Sequence, residues 1–157
     1  MKKIWAFLSI LLATTPLAAG ETKDLNPDGF IPVWTVAGPF PAEILDPTGE
    51  SRGGYYHDFL AVSGGERYAT PAAGDRIELD SGNGIVWKNA SPDSTGVLDF
   101  ISLFATEPGR LGIAYAFCVL NSETEQDVVL KVGSNDGVRI WLNENLVHDH
   151  HVARGLV

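Results

Sequence analysis

The chain has 157 residues, and its 20 Asp and Glu against 11 Lys and Arg give a net charge of −9. This length suits a single domain, and a hydrophobic fraction of 45% excludes an intrinsically disordered chain. The acidic balance repels phosphate backbones and anionic lipid, so we expect neither a nucleic-acid partner nor a membrane-surface partner.

The first 20 residues have the pattern of a secretory signal peptide. A positive start, Met1-Lys2-Lys3, precedes an apolar run from Ile4 to Leu12 that is too short to cross a bilayer, and small residues follow up to Gly20. We therefore predict cleavage near Ala19 or Gly20 and an exported protein, periplasmic or extracellular, with no membrane span. The alternative for the apolar run is a buried helix.

Residues 21–30 form a polar leader, and residues 31–157 contain short apolar runs separated by turn-forming residues. Such runs predict strands, and no window after the signal has helical apolar spacing. The predicted strands are Ile31 to Ala37, Ile77 to Leu79, Ile85 to Lys88, Val97 to Phe104, Ile113 to Leu120, Val128 to Val132, Val138 to Leu142 and Leu146 to His148. Residues 41–54 are predicted as loop, and Tyr55 to Val62 as a strand or one helical turn. This pattern predicts an all-β fold, an antiparallel jelly-roll β-sandwich.

The strand from Ile113 to Leu120 is apolar on both faces. Large side chains such as Tyr115 and Phe117 alternate with small ones such as Ala116 and Cys118. Because both faces are apolar, we predict that this strand lies in the middle of a sheet and is covered on both sides. Cys118 is then a small buried hydrophobe and not a reactive thiol.

Two consecutive hairpins are predicted near the end of the chain. Val128 to Val132 and Val138 to Leu142 have matching apolar alternation on either side of the Gly133 to Gly137 turn. A second turn then leads into Leu146 to His148. We therefore predict that Val138 to Leu142 pairs with both flanking segments.

The same residues carry a family resemblance. Gly133 to Asn143, GSNDGVRIWLN, resembles the "s-D-D-G-v-x-v-W-l-N/D-G" hairpin of PA14-like and galactose-binding-like jelly rolls. Ile31 to Pro41, IPVWTVAGPFP, resembles the "W-l-v-x-G-P-F" start of related exported bacterial modules. The resemblance implies a jelly-roll module of the kind found in secreted polysaccharide-processing proteins and adhesins.

The modules that this chain resembles continue past Arg154-Gly155 into further strands. The resemblance therefore implies that residues 31–157 are a partial module of a longer protein, incomplete at its C-terminal end. A missing closing strand leaves the backbone groups of a central strand exposed, and exposed strand edges pair with other chains. We expect residues 21–157 alone to be marginally stable, aggregation-prone or completed by a partner strand.

Two clusters of polar residues are candidate metal sites. Asp24, Asn26 and Asp28 match the first half of a calcium loop, but Thr35 stands where the bidentate Glu belongs. His148-Asp149-His150-His151 has nitrogen enough for zinc, but along a strand His148 and His150 share a face from which His151 points away. We therefore predict no cofactor and no metal, with Ca²⁺ at the first cluster as the alternative.

The predicted ligand surface gathers polar and aromatic residues from the two hairpins. The aromatic residues that could stack on a sugar are Trp34, Trp87, Trp141, Tyr55, Tyr56 and Tyr68. Trp34 and Trp87 lie among Val and Ile and are expected in the core, whereas Trp141 lies on the opposite face from Ile140 and Leu142. Amide and carboxylate groups bind sugar hydroxyls, and an aromatic ring stacks on a sugar. The predicted residues are Asn135, Asp136, Trp141, Asn143 and His148.

No arrangement of catalytic residues is recognisable. The carboxylate pairs Glu78/Asp80 and Glu123/Glu125 lie near turns, where solvated acids are ordinary, and no nucleophile elbow or phosphate loop occurs. We therefore predict a non-catalytic exported module that binds a glycan or an envelope protein. The alternative is a structural docking domain of a larger polysaccharide-processing enzyme, with no ligand of its own.

Overall fold

The computed structural model describes residues 4–13, 25, 27–45, 48, 50–79, 82, 84–104, 112–121, 127, 129–134 and 136–152. The strands of this part of the chain are β1 (Ile4–Ala13), β2 (Trp34–Pro41), β3 (Glu43–Leu45), β4 (Ser51–Gly53), β5 (Arg76–Glu78), β6 (Gly84–Val86), β7 (Lys88–Ala90), β8 (Gly112–Asn121), β9 (Val138–Leu142) and β10 (Asn145–His150). The helical segments are α1 (Phe100–Phe104) and two 3-10 turns, Gly54–Tyr56 and Ala61–Ser63. The fold is rich in strands, as the sequence predicts.

One six-stranded sheet organises the molecule, with the strand order β10-β9-β1-β8-β2-β7. β8 pairs antiparallel with β2, and β9 pairs antiparallel with β10. The short strands form two separate antiparallel pairs, β3 with β4 and β5 with β6. The ends of the large sheet are therefore β10 and β7.

The strand β8 lies in the middle of the large sheet, which confirms the prediction from its two apolar faces. Its residues from Gly112 to Val119 are all buried. Tyr115 and Phe117 belong to one hydrophobic cluster with Phe40 and Trp87. Ala116 and Cys118 on the other face belong to a second cluster, which also holds Trp34. Trp34 and Trp87 thus lie in the core, as predicted.

The strand predicted for residues 97–104 is wrong, because residues 100–104 form the helix α1 and residues 97–99 precede it without regular structure. The carboxylate of Asp99 accepts hydrogen bonds from the backbone amides of Ile101 at 3.0 Å and Ser102 at 3.2 Å, so it caps the start of α1. Phe100 and Phe104, four positions apart, stack with their ring centroids 5.9 Å apart. Both rings pack against the second cluster, which explains why an apolar segment occurs here.

Only one of the two predicted hairpins is present in the described residues. β9 pairs with β10, which confirms the second hairpin. The prediction that Val138 to Leu142 pairs across the Gly133 turn is wrong, because residues 129–134 form no strand. The edge of β9 that was expected to face them is paired with β1 instead.

Three further boundaries differ from the predictions. The first predicted strand starts at Trp34 and continues through the prolines to Pro41, with a register shift between Ala37 and Phe40 that accommodates them. Part of the predicted 41–54 loop forms the β3–β4 hairpin. The segment from Tyr55 to Val62 contains 3-10 turns, which favours the helical alternative over a strand.

The apolar run that was predicted to be part of a signal peptide is the strand β1. It pairs in parallel with all ten residues of β8 and all five residues of β9. The segment is thus extended, and the alternative of a buried helix for residues 4–12 is wrong. Cleavage and export stay predictions. Among the described residues, no helix has the length and apolar character that crossing a bilayer requires.

Candidate functional site

Polar and aromatic side chains from five separate elements converge at the β9–β10 end of the sheet. We call this group the Arg139 cluster. β9 contributes Arg139, which alternates with the buried Val138 and Ile140 and so points to the opposite face of the sheet. The other members are Tyr55 from the first 3-10 turn, Glu66 from the loop after the second 3-10 turn, Tyr115 from β8 and Asp149 from β10.

Arg139 is the centre of the cluster because it forms ion pairs with two carboxylates. Its Nη1 atom lies 3.1 Å from Oε2 of Glu66, and its Nε atom lies 3.3 Å from Oδ2 of Asp149. The guanidinium carbon lies 5.1 Å from the centroid of the Tyr55 ring, within the range of a cation–π contact.

Two tyrosine hydroxyls donate hydrogen bonds to the remaining oxygen of each carboxylate. Tyr115 donates to Oε1 of Glu66 at 2.8 Å, and Tyr55 donates to Oδ1 of Asp149 at 2.7 Å. The Tyr55 hydroxyl also lies 3.1 Å from the carbonyl oxygen of Val138. In each carboxylate, one oxygen therefore pairs with Arg139 and the other accepts a hydrogen bond from a tyrosine.

The loop that carries Glu66 is held by a second acid. The carboxylate of Asp58 accepts hydrogen bonds from the backbone amides of Leu60 at 2.9 Å and Glu66 at 3.1 Å. The amide of the neighbouring residue Phe59 donates to the Tyr115 hydroxyl at 3.3 Å. Glu66 is thus fixed at its backbone as well as at its side chain.

Burial controls the ionisation of the cluster. Only 5% of Glu66 is exposed, and this burial raises the pKa of its carboxyl, whereas the hydrogen bond from Tyr115 and the charge of Arg139 act in the opposite direction. Burial also raises the pKa of Tyr115 and of Tyr55, and the adjacent carboxylates raise both further. Both hydroxyls therefore stay protonated as donors, and the cluster is suited to holding the chain together more than to proton transfer.

An exposed aromatic surface lies beside the cluster. We call it the Tyr56 patch, formed by Tyr56 and His151. Tyr56 is 66% exposed, and its hydroxyl lies 3.1 Å from Nδ1 of His151. The His151 ring stacks on Tyr55 with centroids 4.3 Å apart, and Tyr56 meets it edge to face at 5.1 Å. The exposed ring is thus held by neighbours that the Arg139 cluster fixes.

The residues predicted to bind a ligand are spread over the β9–β10 hairpin. His148 lies opposite Ile140 in the ladder, which places it on the other face from Trp141. Asn143 lies in the turn, with a positive φ of 46°, and its carbonyl oxygen accepts a hydrogen bond from Asn145 at 2.8 Å.

Two of the three remaining predicted ligand residues are less accessible. Asp136 is only 1% exposed, and its carbonyl oxygen accepts a hydrogen bond from the Ser134 hydroxyl at 2.7 Å. Trp141 is partly buried, and its Nε1 atom has no hydrogen-bond partner among the described residues. Asn135 lies outside the described residues. The structure therefore does not bring Trp141 and His148 to one surface.

Of the first candidate metal site, only Asp28 lies in the described part of the chain. Asp24 and Asn26 lie outside the described part of the chain, and Asp28 lies in a turn. His148 and His150 share a face, with ring centroids 6.1 Å apart, while His151 contacts Tyr55. Within the described ranges, no group of three His, Cys, Asp or Glu residues is placed to hold a metal ion.

The carboxylate pairs Glu78/Asp80 and Glu123/Glu125 lie mostly outside the described residues. Asp80, Glu123 and Glu125 fall there, and Glu78 forms an ion pair with Arg76 at 2.5 Å. Cys118 is buried, as predicted, and burial raises the pKa of its thiol.

A cleft of about 280 Å³ lies on the other side of β8 from β9. Its lining includes Cys118, the Ile31 to Val33 segment and the Pro71 to Ala73 segment. Two polar lining residues already bind each other, because the Thr35 hydroxyl donates to Oδ1 of Asn89 at 3.3 Å. The cleft is therefore mainly apolar.

Three members of the Arg139 cluster were not predicted as site residues: Arg139, Glu66 and Tyr115. Tyr55 and Tyr56 are among the aromatic residues that the sequence suggests for stacking on a sugar. Arg139 lies inside the motif that carried the resemblance, but as a single cation in a strand it gives no signal of its own. Glu66 gave none, because its burial depends on contacts with β8 and β9.

Comparisons with protein-family models, with curated proteins and with solved structures found no match to this chain.

Proposed function

We propose that this chain is an exported, non-catalytic β-sandwich module of jelly-roll type that binds carbohydrate through the Tyr56 patch. The proposal keeps the function that the sequence suggests and moves its centre from Trp141 to Tyr56. The observation that carries it is an exposed aromatic ring whose position is already fixed. A ring that is ordered before binding loses little side-chain entropy when a ligand arrives.

The chemistry around Tyr56 suits a neutral polar ligand with an apolar face. Tyrosine combines an aromatic surface with a hydroxyl, and sugars combine an apolar ring face with hydroxyls. The His151 imidazole adds a hydrogen-bonding nitrogen next to the ring. Arg139, 6.0 Å from the Tyr56 ring centroid, is committed to Glu66 and Asp149. Its charge is therefore compensated, which disfavours an anionic ligand.

The binding test is a glycan array followed by titration of the best glycan. We expect Tyr56→Ala to weaken binding by about twofold to tenfold, because one aromatic contact is worth about 0.5–1.5 kcal/mol. Tyr68→Ala is the matched control, since Tyr68 is also an exposed tyrosine, at 54%, and it lies outside the patch.

The outcomes separate the candidate sites. Equal loss in Tyr56→Ala and Tyr68→Ala would contradict the assignment to the patch, and loss in Trp141→Ala alone would return the site to the residue predicted from sequence. Binding to no glycan by the folded protein would support the alternative, a structural docking domain of a larger polysaccharide-processing enzyme.

Export has its own test. We expect the protein recovered from the periplasm or medium of a bacterial host to have lost about 20 residues, the usual length of a signal peptide. Intact-mass measurement reads this directly. A full-length mass, or retention in the cytoplasm, would contradict the export proposal without bearing on the Tyr56 patch.

A further inference from the structure

The cleft beside β8 has a floor to which three strands contribute. Thr35 of β2 is the register partner of Asn89 of β7 on one side and of Phe117 of β8 on the other. Because directly opposite residues of antiparallel strands point to the same face, the three side chains form a row across the sheet. All three line the cleft, so this row is its floor.

A turn that is tied to the sheet forms a wall of the cleft. The wall is the segment from Pro71 to Ala73. The amide of Ala72 donates to Oδ2 of Asp75 at 2.8 Å, and the amide of Trp87 donates to the carbonyl oxygen of Asp75 at 2.9 Å. Trp87 directly precedes β7, so the wall is anchored to the strand that carries Asn89. The cleft is thus formed before a ligand arrives, which is typical of small-molecule sites.

The lining of the cleft defines the charge and the polar group of its ligand. None of the described residues that line it has a charged side chain, and burial of an unpaired charge is costly, so the ligand is neutral. The Thr35 hydroxyl donates to Oδ1 of Asn89 at 3.3 Å. The amide hydrogens of Asn89 and the oxygen of Thr35 then supply a donor and an acceptor, which suit one hydroxyl or amide group of a ligand.

The volume of the cleft limits the size of the ligand. An apolar cavity of about 150 Å³ holds benzene, so a cleft of about 280 Å³ has room for one ring with a short side chain. A sugar ring carries hydroxyls on all sides, and most of them would have no partner in this cleft, which disfavours a sugar.

We propose that this cleft binds a small neutral ring compound that carries a single hydroxyl or amide group. The ring packs between the floor and the wall, and the polar group binds Thr35 and Asn89. The site is separate from the Tyr56 patch, and the proposal does not depend on carbohydrate binding there.

The first test titrates the full chain with 2-phenylethanol and follows the amide chemical shifts by NMR. We expect saturable shifts at the amides that border the cleft, in residues 31–35, 72–73 and 117–120. Shifts that do not saturate, or that are spread over the whole chain, would overturn the proposal. Saturable shifts confined to Tyr56 and His151 would also overturn it, because they would place the probe on the Tyr56 patch.

A second test fills the cleft. We expect Ala72→Leu to weaken 2-phenylethanol binding at least about tenfold, since the added methyl groups take up the space of the ligand. Ala61→Leu is the matched control, because Ala61 is also an exposed alanine and does not line the cleft. Equal binding by the two variants would overturn the proposal. If Ala72→Leu does not fold, the shifts of the wild type decide.

A third test examines the chemical class of the ligand. Asn89→Leu should weaken 2-phenylethanol binding about twofold to tenfold, the worth of one hydrogen bond, and should not weaken the binding of ethylbenzene, which has no hydroxyl. Equal losses for the two compounds would overturn the role of the amide. We expect 2-phenylethylammonium and glucose to bind the wild type at least about tenfold more weakly than 2-phenylethanol. Binding of either as tight as that of the alcohol would overturn the proposed class.

Discussion

Arg139 on β9 places its Nη1 atom 3.1 Å from Oε2 of Glu66, a residue 73 positions earlier in the chain. The contact joins the β9–β10 hairpin to the loop that follows the 3-10 turns. Glu66 in turn accepts a hydrogen bond from Tyr115 in the middle of the sheet. A single ion pair thus connects the hairpin, the loop and β8, and the position of the Tyr56 patch depends on it through Tyr55.

Loss of the Arg139 side chain should therefore destabilise the whole fold. We expect Arg139→Leu to lower the free energy of unfolding by about 3 kcal/mol, because it leaves the buried Glu66 carboxylate without its cation. Urea denaturation measures the change. The double variant Glu66→Leu/Arg139→Leu should lose less than Arg139→Leu alone, since no charge then stays buried. A loss of about 0.5 kcal/mol or less would show that the pair behaves like an exposed one.

The stability should also depend on pH through Glu66. Its pKa in the folded protein is raised above the ordinary 4.5, mainly by burial, so the folded state binds the proton more readily than the unfolded state. Stability from this group is therefore fully present below 4.5 and is lost as pH rises through the folded pKa. Relative to Glu66→Gln, the wild type should become more stable as pH falls from neutral towards 4.5.

The difference between wild type and Glu66→Gln isolates this effect, because the other titrating groups are present in both proteins. Unfolding free energies measured across this pH range should converge at the acid end. If the wild type instead loses stability relative to Glu66→Gln on acidification, the attraction of Arg139 outweighs burial, and the direction of the pKa shift is wrong.

The strands that the sequence predicts well have a local pattern of apolar residues that is typical of strands. β8 has two apolar faces, and β9 has strict alternation between two turns, so their bounds differ little from the prediction. The strand prediction for residues 97–104 is wrong because a five-residue helix is too short to show a helical period of apolar residues. Its start is determined by the Asp99 cap, which the alternation of apolar residues does not reveal.

The Arg139 cluster could not be predicted because its contacts join distant parts of the chain. Tyr55 and Asp149 are 94 positions apart, and Tyr115 and Glu66 are 49 positions apart. Each residue alone resembles a solvated polar side chain, and only the sheet order brings them together. The ligand residues predicted from the hairpins failed to share a surface for a related reason, since the register shift between Leu146 and His148 was not visible in the sequence.

Gly54 is expected to tolerate no side chain. A Cβ atom at this position would overlap the carbonyl oxygen of Pro41, and the Gly54 amide donates to the Ala42 carbonyl at 2.6 Å. We expect Gly54→Ala to cost about 1–3 kcal/mol of unfolding free energy, as overpacking does in cores. It should also weaken any glycan binding, because the next residues are Tyr55 and Tyr56.

Gly53→Ala is the matched control for this prediction. A Cβ atom at Gly53 has no atom within 4 Å, so the substitution should change stability by less than about 0.5 kcal/mol. Thermal and urea unfolding of the two variants give the comparison. Similar losses in both would mean that backbone freedom in the Gly53-Gly54 pair matters, and not the close approach to Pro41.

Cys118 offers a way to measure how firmly α1 covers the small-residue face of the sheet. The thiol is buried in the second hydrophobic cluster, against which Phe104 packs. Burial raises the thiol pKa and blocks access, and both effects slow alkylation, which needs the thiolate.

At about pH 8, iodoacetamide should label the native protein at least roughly a hundredfold more slowly than the unfolded chain, since the site must open first. Phe104→Ala should speed labelling and Tyr68→Ala should not, as mass spectrometry would show. Labelling of the wild type at the unfolded rate would mean that α1 does not shield this face of β8.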